Sequence, residues 1–280
     1  MADDTGTIGA SHEEITMNFA EANSKTKKLY KVAGLNKWLD RKIGKKKAKV
    51  YSFSILSGVD CPFAKLCKSK ANVDDNGKRT IKDGVHTKFR CFSATQEVQY
   101  DDVYRTRKEN HDIIHSYDTA GEMASSILSS IPEDAGVVRI HIAGDFFSEE
   151  YFRAWLMVSS MRPDVLFYAY TKSLKYWVRN RTWIPENLVL TASRGGADDA
   201  MIRRHKLRSA KVVFSKQEAE KYGLEIDDDD STASDPTKRD QSFALLIHGT
   251  QPAGTKASKA LQKLKRDGIM EKANKQLVVL

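Results

Sequence analysis

The stretch VVRIHIAGDFFSEEYFRAW, residues 137–155, decides the fold. Its first half alternates. Val138, Ile140 and Ile142 point one way, and Arg139, His141 and Ala143 point the other. Gly144-Asp145 makes a tight polar turn, and an amphipathic helix follows. A strand that is apolar on one face and carries Arg and His on the other turns that second face toward a site. The turn stands at the strand's C-terminal end, where parallel βα folds keep their ligands.

Working outward, the same unit recurs on both sides. Residues 50–56 alternate and are rich in β-formers, which predicts a first strand. The loop Cys61-Pro-Phe-Ala-Lys-Leu-Cys67 comes next, then a polar loop to Gly84 and a segment, 85–94, that carries Cys91. Residues 95–117 and 118–131 read as helices inserted before the opening stretch. Downstream, strands are expected at 165–171, 188–192, 210–214 and 243–247, with helices at 174–181, 198–207 and 216–222 between them. About six strands, each followed by helical material, predict an α/β fold: a partial (β/α)6 barrel or a curved, mostly parallel sheet flanked by helices. Residues 1–48 then form an N-terminal tail and helices, with a capping box over 11–14 and a helix over 29–43. Residues 49–250 form the α/β core, with the helical insertion 95–131 and a structureless acidic loop 225–240. Residues 251–280 supply a C-terminal helix.

The 280 residues are 40% hydrophobic, enough for a substantial core. No apolar run reaches the ~20 residues of a membrane span. The polar, acidic start predicts no signal peptide, so a cytoplasmic protein without membrane association is expected. A net charge of +9 allows a basic surface to meet nucleic acid or another polyanion. Lys45, Lys46, Lys47 and Lys49, and the Lys256–Arg266 helix, are the candidates. Solvated lysine faces are the simpler reading, since neither zinc-finger spacing nor interleaved aromatics accompany them.

The strand ends share a character. They carry Gly144-Asp145, Thr171-Lys172-Ser173, Ser193-Arg194-Gly195-Gly196, Ser215-Lys216 and His248-Gly249-Thr250. Five such ends describe one polar rim, and a rim of this kind suits a small-molecule ligand. Arg139, His141, Lys172 and Arg194 would line it. His141 and Lys172 are the candidate catalytic groups. A buried Arg139 requires an anion, for which Asp145, Glu97 or a bound carboxylate is available. Arg194-Gly195-Gly196 could form an anion-binding nest. Trp155, Trp177 and Trp183 read as core.

Cys61, Cys67 and Cys91 are too few for a disulfide framework. The polar, Pro-containing loop is a poor place for core thiols. Soft sulfur ligands point to a [4Fe-4S] cluster or to zinc, the latter completed by His86 or His141. Three unrelated thiols are the plainer alternative.

The cysteine loop, Val138-Arg139-Ile140-His141 running into Gly144-Asp145-Phe146, and Tyr168-Ala169-Tyr170-Thr171-Lys172 together resemble the bacteriophage "gene product 88" domain family over roughly 45–250. That resemblance implies a phage-type protein of a host cytoplasm, and no activity. More distantly, the order of strand, cysteine loop, strand and Gly-acid turn resembles the radical S-adenosylmethionine enzymes. That resemblance implies a partial barrel whose cluster sits on Cys61, Cys67 and Cys91. Gly144 and Asp145 would meet the amino group of S-adenosylmethionine, and Ser193 or Arg194 its ribose or carboxylate. A non-enzymatic zinc- or cluster-stabilised module that binds nucleic acid or a host protein is the alternative function.

Overall fold

The computed structural model describes residues 16–23 and 25–269. The anticipated capping box at 11–14 and the last turns of the C-terminal helix lie outside them. The main sheet has eight strands: β1 (Phe19–Glu21), β2 (Lys49–Phe53), β3 (Ala135–Ile140), β4 (Leu166–Thr171), β5 (Leu188–Ser193), β6 (Ser209–Val213), β7 (Glu225–Ile226) and β8 (Phe243–Leu246). Side by side they run β1-β2-β3-β4-β5-β6-β8-β7. From β2 to β7 every neighbour is parallel, and β1 alone is antiparallel. The expected α/β class, a mostly parallel sheet flanked by helices, is what forms.

The strand order has a consequence for the layers. When parallel strands follow one another in sequence, right-handed crossovers put every connecting helix on the same face. The helices concerned are α1 (Phe92–Gln99), α2 (Asp101–His115), α3 (Ala120–Ser130), α4 (Glu149–Met161), α5 (Leu174–Arg179), α6 (Ala200–Arg204) and α7 (Lys216–Lys221). One large core joins Phe53, Val138, Ile140, Phe167 and Leu190 of the sheet to Ile127 of α3 and to Phe152 and Trp155 of α4. Each such buried apolar side chain contributes about 1.5–3 kcal/mol relative to exposure. Helix α4 starts where Ser148 accepts the Tyr151 N–H, and α3 starts in a capping box of Thr119 and Glu122.

The opposite face is covered by the N-terminal segment. Leu29, Leu35, Trp38 and Leu39 pack on Val50, Val137, Leu166, Tyr168 and Val189. The single helix expected over 29–43 is instead two 3-10 turns, Thr26–Lys31 and Ala33–Leu35, followed by the one-turn helix Asn36–Leu39. At Gly34 a Cβ would stand 2.3 Å from the Asp235 carboxylate, so this segment presses close to the chain beyond β7.

Other expectations are corrected. The polar loop after Cys67 is a hairpin, Ser69–Val73 with Arg79–Asp83. The acidic stretch 225–240 holds β7 and a one-turn helix, Ser231–Ser234, with Asp227 and Asp230 buried. Trp155 is core as expected, but Trp183 is 74% exposed. The C-terminal helix α8 (Lys256–Arg266) buries Ala257, Leu261 and Leu264. Lys256, Lys259 and Lys263 stay in solvent. No helix among the described residues is long and apolar enough to cross a membrane.

Candidate functional site

The segments that carry the three cysteines come together at the C-terminal mouth of the parallel strands. Cys61 and Cys67 bracket the loop that leaves β2. This loop is pinned across the mouth to the end of β5. The N–H groups of Lys65 and Leu66 donate to the Gly195 carbonyl at 3.1 and 3.0 Å, and the Ala197 N–H donates to the Phe63 carbonyl at 2.8 Å. Gly195, at φ +103°, is required because a Cβ would press on Leu66.

Cys91 lies 24 residues beyond Cys67, and the hairpin closes that distance. Ser69 pairs with Asp83, so the outgoing and returning strands end side by side. The Lys88 and Phe89 N–H groups then donate to the Leu66 carbonyl, and the Cys91 N–H donates to Ser69 Oγ at 3.3 Å. From the far side Gln251, after β8, grips the Arg90 backbone through both its N–H and its carbonyl. Cys91 thus occupies the N-cap position of α1, tied by its backbone to Ser69 at the start of the hairpin.

The cysteines also influence one another electrostatically. Burial pushes the Cys61 thiol well above its usual pKa, and the charges of Asp145, Cys91 and Cys67 add to the shift. Burial also raises Cys91, with Cys67 adding to it, while the Ser93 and Ala94 amides pull it down. Lys172 feels the charges of all three. Burial alone would lower its pKa, but Cys67, Asp145, Cys61 and Cys91 outweigh burial and raise it. Lys172 Nζ donates to Ser193 Oγ at 2.6 Å. Two anticipated rim residues from neighbouring strands are therefore joined.

Asp145 is the bolt behind this group. Its Oδ1 accepts from Thr171 Oγ1 at 2.6 Å and from the Phe146 N–H at 2.8 Å; its Oδ2 accepts the Lys172 N–H at 2.7 Å. The turn after β3 is thereby fixed to the end of β4. Gly144 takes φ +88° with Ile55 against it, and a Cβ would lie 2.3 Å from Ile55 Cγ1.

Three anticipated site residues, His141, Arg139 and Arg194, stand elsewhere. His141 does not share a face with Arg139. β3 ends at Ile140, and His141 adopts φ +66°, which swings its ring under the helical layer. There Nε2 lies 2.9 Å from the Tyr151 hydroxyl, among Phe53, Phe146 and Trp155. Burial holds its pKa down to about 3, so it is neutral. Arg139 does face the other side of the sheet, in a row with Ser52, Tyr168 and Val189. Its anion is neither Asp145 nor Glu97 but Asp230, at 2.5 Å, which also accepts from the Tyr168 and Tyr170 hydroxyls. Glu97 is taken by Arg107 and Ser57. Arg194 is exposed and leans to Ser209 Oγ. The Gly195 and Gly196 N–H groups donate to the Asp199 carboxylate at 2.8 and 2.9 Å, so the anticipated nest is filled from within.

His86 is exposed. Among the described residues, one set of three or more His, Cys, Asp or Glu brings its ligand atoms within 4.8 Å of one another: Asp60, His111 and His115. It contains no cysteine, and none of its members was singled out from the sequence. The signal available was the spacing of His111 and His115, one turn apart on an expected helix.

A family model described as Gene product 88 matches residues 17–266. Comparisons with curated proteins and with solved structures found no match.

Proposed function

The chain belongs to the gene product 88 family, and we propose that it holds an iron–sulfur cluster on Cys61, Cys67 and Cys91. The observation that carries this reading is that hydrogen bonds at Leu66 and Ser69 tie the segment bearing Cys91 to the Cys61–Cys67 loop. A single zinc ion would draw its sulfurs to about 3.8 Å apart, the edge of a tetrahedron with Zn–S near 2.3 Å. The three sulfurs are not all within 4.8 Å of one another. A polynuclear cluster, whose irons stand apart, takes sulfurs further from one another than a single ion does.

When bound, such a cluster supplies an electron and one iron free of protein ligands, the equipment for reductive cleavage of S-adenosylmethionine. The chain's own residues do the rest. The Cys61 and Cys91 thiols, whose pKa values burial raises, give up their protons as metal binds. The Lys172 ammonium then offsets the negative charge of three thiolates. Asp145 holds the ends of β3 and β4 in register, so that Lys172 and Ser193 present a fixed cation and hydroxyl at the mouth. A carboxylate-bearing small molecule suits that pair.

Anaerobic reconstitution with iron and sulfide analysis tests the reading. The expected result is a brown protein with about four irons per chain for a [4Fe-4S] cluster, and loss of most of the colour in Cys91→Ser. A colourless protein with stoichiometric zinc, or a Cys91→Ser variant that keeps a full cluster, overturns it. Calorimetry on the reconstituted protein should show S-adenosylmethionine binding that weakens in Lys172→Met; heat-silent titration would remove that ligand.

A further inference from the structure

A second cluster of donors lies behind the cysteine loop. Asp60 immediately precedes Cys61 and is 1% exposed. His111 and His115 project from one side of α2, one turn apart. His111 Nδ1 lies 2.9 and 3.0 Å from the two Asp60 carboxylate oxygens, and His115 Nε2 lies 2.9 Å from Oδ1. Two imidazole nitrogens converge on one carboxylate, and His111 Nδ1 is nearly equidistant from both oxygens. A single directed hydrogen bond does not ask for that arrangement.

We propose that Asp60, His111 and His115 form a three-ligand site for one divalent transition-metal ion. Neighbouring donors on an octahedron with bonds of about 2.1 Å stand about 3.0 Å apart, which these separations match. Two histidines and one carboxylate on one face are the donor set that leaves the remaining positions open. The setting is built around them. Asp60 Oδ2 also accepts the Leu56 N–H at 2.9 Å, and its carbonyl accepts the Asp145 N–H at 3.0 Å. Phe147 stacks on the His115 ring at 3.9 Å and 20°, which fixes the ring plane. His111 is 20% and His115 38% exposed in the side chain, so an ion has a way in from solvent.

This site is independent of the thiols, and the experiment keeps the two apart. The protein carrying Cys61, Cys67 and Cys91 all replaced by Ser is stripped with chelator and titrated with Co(II) and Zn(II). One saturable equivalent is expected, with a cobalt spectrum lacking thiolate charge transfer. His115→Ala and His111→Ala, each checked for an unchanged thermal melt, should lower affinity at least a hundredfold. Absence of saturable binding in the thiol-free protein, or full binding in both histidine variants, overturns the proposal. If the triple serine variant does not fold, cluster-free wild type serves. There a second cobalt equivalent whose d–d bands carry no sulfur charge transfer and vanish in His115→Ala supports the site, and binding to the thiols alone refutes it. Loss of the iron–sulfur cluster would leave this result unchanged.

Discussion

Replacing Asp230 by Asn asks whether Arg139 is part of the framework or a ligand-binding group. In the folded chain Asp230 meets Arg139 at 2.5 Å, the Tyr168 and Tyr170 hydroxyls at 3.1 Å each, and Lys25 at 2.9 Å. Asn keeps the shape and one acceptor but leaves the guanidinium, 12% exposed, without a counter-charge. Breaking a buried pair from one side costs about 3–5 kcal/mol. The Lys25 contact, 38% exposed on the lysine side, adds little. Urea unfolding at pH 7 should therefore show a loss in that range. Adding Arg139→Gln removes the stranded charge and should restore part of it, giving a coupling of at least about 1.5 kcal/mol in the double-mutant cycle. The pH dependence has a definite sign. Burial opposes ionisation of Asp230, but Arg139 and Lys25 outweigh it and hold the carboxyl well below its usual range. Its stabilisation is complete above the unfolded pKa of about 3.9 and is lost as pH falls below that value. The Asn variant should lack this part of the acid unfolding limb. A loss under about 1 kcal/mol for Asp230→Asn, with no coupling, would refute the framework role and return Arg139 to the list of groups awaiting an external anion.

Three further outcomes are expected. His141, depressed to about pKa 3 by burial, takes no proton in the folded state over the range where the unfolded chain does. It contributes nothing above about pH 6.5 and progressively destabilises the fold as pH falls toward 3. From pH 7 to 5 this amounts to about 2 kcal/mol. His141→Asn, which tolerates the left-handed backbone, should remove that difference in urea midpoints between the two pH values; identical pH dependence in both proteins would show that His141 titrates normally. Gly195→Ala forces a side chain into φ +103° and against Leu66, at a cost of about 1–2 kcal/mol or more. Cluster content after reconstitution should fall with it, and full incorporation would mean the thiol loop does not depend on this contact. Thr171→Val removes the hydroxyl that donates to buried Asp145 and should cost about 1–3 kcal/mol in thermal or urea unfolding; a neutral change would mean Asp145 is held adequately by backbone amides alone.

The parallel sheet was legible because its strands are short, apolar and punctuated. Val50, Val137, Leu166 and Val189 recur on one face, and Gly, Ser or Asp ends the run each time. The strand ends were legible for the same reason, so Lys172 and Ser193 could be placed at neighbouring strand ends from position alone. What stayed hidden was set at long range or by exposed pairing. The hairpin 69–83 is mostly polar on both sides, so no alternation marks it; its Asn76-Gly77 turn was the only cue. Asp230 looks solvated among four aspartates because its partner, Arg139, is 91 residues away. Asp60 and His111 are 51 residues apart. His141 was misplaced because alternation assumes that a strand continues, and one left-handed residue reverses the side chain's direction.

The route by which Cys91 arrives makes the three sulfurs unequal. Cys61 and Cys67 hang from the main sheet through β2 and β5. Cys91 returns along a hairpin whose strands pair only with each other and face solvent for most of their length. Small exposed pairs of this kind open at a fraction of the free energy of global unfolding. A cofactor on these thiols would therefore be tethered by two firm anchors and one hinged arm. Such a holder would load and release its cargo through local opening of one arm, while the parallel sheet beneath stays shut.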